Sequence, residues 1–276
     1  MNLKNGEVDL KIVLNGEVYC TSCKTARELF KELKFENKSS YVCILNGYQE
    51  SYDVCLKEGD EVFLIDKNVP PPKEQWEKMI CARHTPGVYE KVKKARVAIA
   101  GLGGLGSNIA MMLARTGIGH LHLIDFDTVD LTNLNRQQYG IRHIGRFKTE
   151  ALKEQLLEIC PFLDICIDTI YVSRENVLDL FKDDDIVCEA FDNAECKAML
   201  TEELLTKCKK TALIAASGMA GYGNSNDIKS RKIRENFYIC GDEVTDAKQG
   251  IGLMAPRVTL CAAHQANLVL DLIIKG

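Results

Sequence analysis

The chain has 276 residues, room for one large domain beside a small one, and its apolar and charged fractions are those of an ordinary globular protein. A net charge of −4 argues against a basic footprint for nucleic acid or for an anionic membrane surface. Met1-Asn2-Leu3-Lys4-Asn5 opens no apolar leader core and no stretch reads as a membrane span, so a cytoplasmic location is expected.

Twelve cysteines are present, but Cys43, Cys160, Cys166, Cys188 and Cys261 sit inside apolar stretches and read as small buried hydrophobes rather than a disulfide framework. Only Cys20 and Cys23 have CxxC spacing. A structural zinc site takes four ligands, usually two such pairs, so zinc is not expected there.

In chain order, residues 9–14 alternate as a strand, Asn15-Gly16 is a hairpin signal, and residues 17–20 return. Ala26, Leu29, Phe30 and Leu33 recur at helical spacing within residues 25–34. Strands follow at residues 41–45, ending in Asn46-Gly47, and at residues 61–65. This β-β-α-β-β order is that of a β-grasp, ubiquitin-like domain, expected over residues 1–68. Val69-Pro70-Pro71-Pro72-Lys73 continues neither helix nor interior strand, so residues 69–75 are expected to form a stiff linker.

Residues 76–276 alternate strand and helix. Strands are expected at 96–100, 120–125, 165–171, 186–191 and 212–217, and helices at 107–116, 149–159, 176–181 and 194–208. Such alternation implies α/β architecture with a doubly wound, mostly parallel, Rossmann-like sheet. Residues 218–255 show little apolar periodicity and read as a long functional loop before a last helix at 257–274.

The chemistry concentrates after the first strand of this second region. Gly101-Leu102-Gly103-Gly104-Leu105-Gly106 follows a strand and opens a helix, the context in which backbone N–H groups and a helix N-terminus receive phosphate. Asp125 ends the next strand, where a carboxylate accepts from a ribose hydroxyl. That fingerprint says nucleotide without saying which. Asp127, Asn133, Arg136, Gln137 and Lys148 follow, a polar and cationic set suited to a triphosphate rather than to a nicotinamide ring. Asp192 lies at the end of another parallel strand, where a carboxylate beside phosphates suits Mg²⁺. The bland alternative takes Arg136 or Lys148 as a solvated charge and Asp192 as a helix cap; it is the weaker reading for each one and much the weaker for the three together. The five histidines have no evident sequence partner and are read as structural.

These residues stand as they do in the ThiF/MoeB family, relatives of ubiquitin-activating enzymes; the resemblance covers roughly residues 75–276, and Asn133-Leu134-Asn135-Arg136-Gln137 is its most specific part. Arg83-His84-Thr85-Pro86-Gly87 and residues 216–223 resemble the ThiF branch of thiamine biosynthesis. The resemblance implies an ATP- and Mg²⁺-dependent adenylyltransferase, acting on the C-terminal glycine carboxylate of a ThiS-like sulfur carrier protein and releasing pyrophosphate. It implies that residues 101–106 cradle the nucleotide and that Asp125 holds the ribose. By the same resemblance Asn133, Arg136 and Lys148 contact phosphates, Asp192 binds Mg²⁺, and Arg83 reaches the γ-phosphate, often across a homodimer. Lys148→Ala or Asp192→Ala is expected to abolish pyrophosphate exchange with the fold intact. Family members that carry zinc use two CxxC pairs; here that region offers only Cys240 and Cys261, and Cys240 is not expected to act as a nucleophile.

The N-terminal domain resembles the carrier ThiS itself, through Leu14-Asn15-Gly16-Glu17 and Leu45-Asn46-Gly47. An active carrier ends in Gly-Gly. Here Ile65-Asp66-Lys67-Asn68 runs into the prolines, so this domain reads as a degenerate carrier that is no substrate of its own enzyme. Rival readings keep the chemistry with a molybdopterin- or cysteine-biosynthesis carrier, or take the glycine turn and Asp125 alone as an NAD-dependent oxidoreductase, or see a non-catalytic binding module.

Overall fold

The computed structural model describes residues 9–35 and 41–276; the N-terminal segment read for a leader lies outside them. The chain packs as two units, the first running to Glu90 and the second from Lys91 to Gly276.

In the first unit β1 (Leu10–Leu14), β2 (Glu17–Thr21), β3 (Tyr41–Leu45), β4 (Tyr48–Glu50) and β5 (Glu61–Asp66) form one sheet in the order β2-β1-β5-β3-β4. β1 and β5 are parallel and the other pairs antiparallel. The short exposed β4 is an addition to the expected order. Helix α1 (Ala26–Glu32) is capped by the Thr25 side chain and buries Leu29 and Phe30 against Ile12, Val62 and Leu64. The other sheet face is covered by Ala82 and Met79 on Ile44 and Phe63. Met79 belongs to α2 (Lys73–Ile80), which begins inside the stretch expected to be linker. Pro72 precedes it, since a proline at the start of a helix costs no hydrogen bond.

The short α3 (Val88–Val92) runs across the division between the units. The sheet of the second unit comprises β6 (Arg96–Ala100), β7 (His120–Ile124), β8 (Asp164–Asp168), β9 (Ile186–Glu189), β10 (Ala212–Ala216), β11 (Lys229–Arg234) and β12 (Phe237–Gly241). The order is β11-β12-β10-β9-β6-β7-β8, parallel throughout except for the β11–β12 hairpin. That hairpin corrects the expectation of a loop over residues 218–255. All six residues of β11 are exposed, so the strand carries no apolar alternation to be read.

Helices α4 (Gly104–Arg115), α5 (Lys148–Ile159) and α8 (Ala255–Lys275) pack on one face, and α6 (Val177–Phe181) and α7 (Ala194–Lys207) on the other. Strand alternation divides β6 between them: Ala98 and Ala100 meet Phe181, Leu200 and Leu204, while Ile99 faces α4. By length and composition α8 is apolar enough to cross a membrane, which corrects the reading that no stretch is. Here it lies against α4 and β10, and buries Arg257 and Gln265 alongside Val258, Cys261 and Val269. The strand order reverses between β6 and β9, the place where an open parallel sheet leaves a crevice at its carboxyl ends.

Candidate active site

A cavity of about 580 Å³ opens at that reversal, a volume in the range of small-molecule and cofactor sites. Its floor is the glycine turn. Helix α4 starts at Gly104 with no side-chain cap, so its first amides are open donors beside the cavity. Gly101, Gly103 and Gly104 line it. Gly106 is not among the lining residues. A Cβ there would lie 1.8 Å from the Gly101 carbonyl oxygen, so this glycine lets α4 close onto β6.

Asp125 is buried beneath the turn, accepting from the Leu102 amide at 2.6 Å and the Asp127 amide at 2.8 Å. Burial pushes its carboxyl up; Lys148, 4.0 Å away, and the two amides oppose that. The Tyr139 hydroxyl donates to the Leu102 carbonyl at 2.9 Å, so the turn is held from both sides. Lys148, buried at the start of α5, donates to Asp127 at 2.8 Å. Asp125, Asp127 and Lys148 all line the cavity.

Arg136 lies with its aliphatic stem over Gly104, and its guanidinium donates to the Thr132 carbonyl and the Asn135 side chain. Gln137 is buried in the cavity wall, and its Oε1 has no hydrogen-bond partner among the described residues. Asn133 is buried outside the lining residues and closes a capping box with Asp130, donating at 2.7 Å and accepting at 3.3 Å. The sequence signal was present in the four-residue Asp130–Asn133 spacing.

Opposite, Asp192 follows β9 and lines the cavity. The cap of α7 is Asn193, which accepts from the Glu195 and Cys196 amides at 2.8 and 3.0 Å. Asp192 is therefore left without a hydrogen bond or ion pair among the described residues. Beneath it is a pair that sequence reasoning missed: Lys197 donates to both oxygens of Glu189 at 2.9 Å, with Glu189 fully buried. Burial pushes the Glu189 carboxyl up and Lys197 pulls it back. Also missed were Phe126 and Tyr171, half-exposed rings in edge contact at 5.2 Å on the cavity rim, a surface suited to a flat base.

Arg83 lies in the first unit, exposed, just beyond α2. Cys240 is buried on β12 with its thiol pushed up to about 11 by burial, a poor state for a nucleophile. Cys23 is buried and donates its thiol to Glu32, while Cys20 is exposed. Three histidines have partners that lay far off in sequence: His120 pairs with Asp164, His122 with Asp168 and Asp184, and His264 with Ser230.

The ThiS-like ubiquitin profile matches residues 10–68. The tRNA threonylcarbamoyladenosine dehydratase of Haemophilus influenzae is 35% identical over 53% of this chain and 56% of its own length. A probable adenylyltransferase/sulfurtransferase, MoeZ of Mycobacterium tuberculosis, is 32% identical over 41% of this chain and 29% of its own. The chain thus spans little more than half, or less, of these relatives. Among solved structures, E. coli TcdA in complex with AMP superposes with a TM-score of 0.66 at 22% identity, over 75% of this chain and 98% of that one, a likeness of fold. The ThiF family profile matches residues 77–276, the stretch that holds every residue lining the cavity, and the chain belongs to the ThiF family.

Proposed function

We propose that the cavity binds ATP with Mg²⁺ and that the protein adenylates the C-terminal glycine carboxylate of a ThiS-type sulfur carrier. The observation that carries this reading is the pairing, across one cavity, of open glycine amides and Lys148 with an unpartnered carboxylate, Asp192. A carrier carboxylate oxygen attacks the α-phosphorus, the bond from that phosphorus to the β-bridging oxygen breaks, and pyrophosphate leaves. A carboxylate is already a nucleophile, so the site needs placement and charge cancellation rather than a general base. The α4 amides, Lys148 and Arg136 supply positive charge, and Phe126 and Tyr171 give the base a surface. Asp192 offers the oxygen donor that a hard cation prefers, and the cation, when bound, neutralises phosphate charge.

The carrier comes from another chain. β5 ends at Asp66 and the sequence runs on through Pro70, Pro71 and Pro72, so the ThiS-like domain presents no free carboxylate there. Arg83 is assigned to the γ-phosphate, supplied within a homodimer. A second reading follows the Haemophilus influenzae relative, whose name specifies a tRNA nucleoside. The net charge of −4 favours a protein acceptor over a polyanion. The deciding experiment incubates the full chain with ATP and Mg²⁺ and either a ThiS-type carrier or tRNA. The carrier should gain the mass of one adenylate; a carrier of unchanged mass with tRNA-dependent ATP turnover overturns the reading.

A further inference from the structure

A second group of chemically able side chains lies outside the nucleotide cavity, at the β7–β8 edge of the large sheet. His122 on β7 stands in register with Cys166 on β8, and Asp168 follows two residues on, on the same face of the strand. An imidazole nitrogen, the Cys166 sulfur and an Asp168 oxygen all lie within 4.8 Å of one another. A zinc ion at 2.0–2.1 Å from nitrogen and 2.3 Å from sulfur holds its ligands about 3.3–3.8 Å apart, so small side-chain movements close the set. Cys166 is exposed and the Asp168 side chain is half-exposed, which leaves them free to make that movement.

The support behind His122 distinguishes this group from a casual ion pair. Its Nδ1 lies 2.8 Å from Oδ2 of Asp184, whose side chain is only 2% exposed, while Nε2 lies 2.8 Å from Asp168. With Nδ1–H donating to Asp184, the ring is held so that Nε2, which donates to Asp168, faces the thiol and the second carboxylate, the arrangement that orients a metal-bound histidine once Nε2 gives up its proton. The other Asp184 oxygen is buried with no hydrogen-bond partner among the described residues. The nearby cations are engaged elsewhere: Arg96 with His120 and the Asp183 carbonyl, Lys153 with the Ile165 carbonyl.

We propose that His122, Cys166 and Asp168 form a binding site for a thiophilic divalent cation of the zinc type, with Asp184 as the positioning residue and a fourth place open to water. On binding, the Cys166 thiol and the His122 Nε2–H each give a proton to solvent, the Nε2–H···Asp168 hydrogen bond breaks, and bonds form from the metal to sulfur, to Nε2 and to an Asp168 oxygen. Sulfur, nitrogen and oxygen together select a borderline ion over Mg²⁺ or Ca²⁺. The site uses neither the Cys20/Cys23 pair nor any residue lining the nucleotide cavity.

Cobalt(II) titration of the full-length protein tests it, because a cobalt–thiolate bond absorbs in the near ultraviolet. The expected result is a band that saturates at one cobalt per chain and is displaced by zinc. Cys166→Ser should abolish the band, Cys20→Ser should leave it, and Asp184→Asn should weaken binding about 10–100-fold. If Cys166→Ser fails to fold, Asp168→Asn on the half-exposed side chain gives the same decision through a weakened or shifted band. No band in the parent protein, or a band unchanged in the Cys166 or Asp168 variant, overturns the proposal.

Discussion

On the wall of the cavity built from β6, β7 and α5, the charged groups are already tied down: Asp125 to two backbone amides, Lys148 to Asp127. On the wall built from β9 and α7, charge is arranged in two layers. Glu189 and Lys197 satisfy each other below, and Asp192 stands above them with no partner. The difference shows which wall must be ready before a ligand arrives. A phosphate cradle works by being preorganised, so its lysine and glycine amides are held in place at a cost met by folding. A cation ligand works by being available.

Three substitutions test that contrast. Lys148→Ala strikes the tied wall and should have the largest effect, a loss of about 10²–10³-fold in ATP–pyrophosphate exchange. It also leaves Asp125 buried without its cation. Thermal unfolding should therefore show a loss of roughly 2 kcal/mol, below the 3–5 kcal/mol of a broken fully buried pair because Asp127 is half exposed. This replaces the expectation that the variant folds normally; unchanged melting together with lost exchange would show that Lys148 serves the ligand alone. Lys197→Met should come next, lowering stability by about 3 kcal/mol by stranding Glu189. Adding Glu189→Gln should recover most of that loss in chemical denaturation, and no recovery would break the account of the lower layer. Asp192→Asn should be the mildest, reducing exchange by about tenfold to a hundredfold at low Mg²⁺ with no change in melting. A drop in melting temperature would mean that Asp192 is not the free group described.

Much of the large sheet was legible where a short apolar run leads into a helix with its own spacing, as in Arg96–Ala100 and Gly104–Arg115. β11 was not, because a strand exposed on both faces carries no burial pattern to read. Lys73–Ile80 was hidden by the prolines before it, and its apolar stripe is confined to Trp76, Met79 and Ile80. At the site, residue types were easier to read than roles. The packing contact at Gly106 and the cap at Asn133 are not visible in the motif itself, and Glu189–Lys197 escaped notice because a glutamate inside an apolar strand and a lysine on a helix meet only through the intervening turn. His122 and Asp184 are separated by 62 positions, and parallel crossovers alone bring them together.

The exposed strand at the far edge of the large sheet carries a further consequence. Lys229, Arg231, Lys232 and Arg234 crowd onto the row of backbone groups that a sheet leaves unpaired. Two molecules meeting there would set like charges against one another, so edge-to-edge growth into aggregates is blocked by repulsion rather than by shape. Screening shortens the reach of that repulsion to a few ångströms at molar salt, and concentrated salt is where this protein's solubility would first depend on that edge.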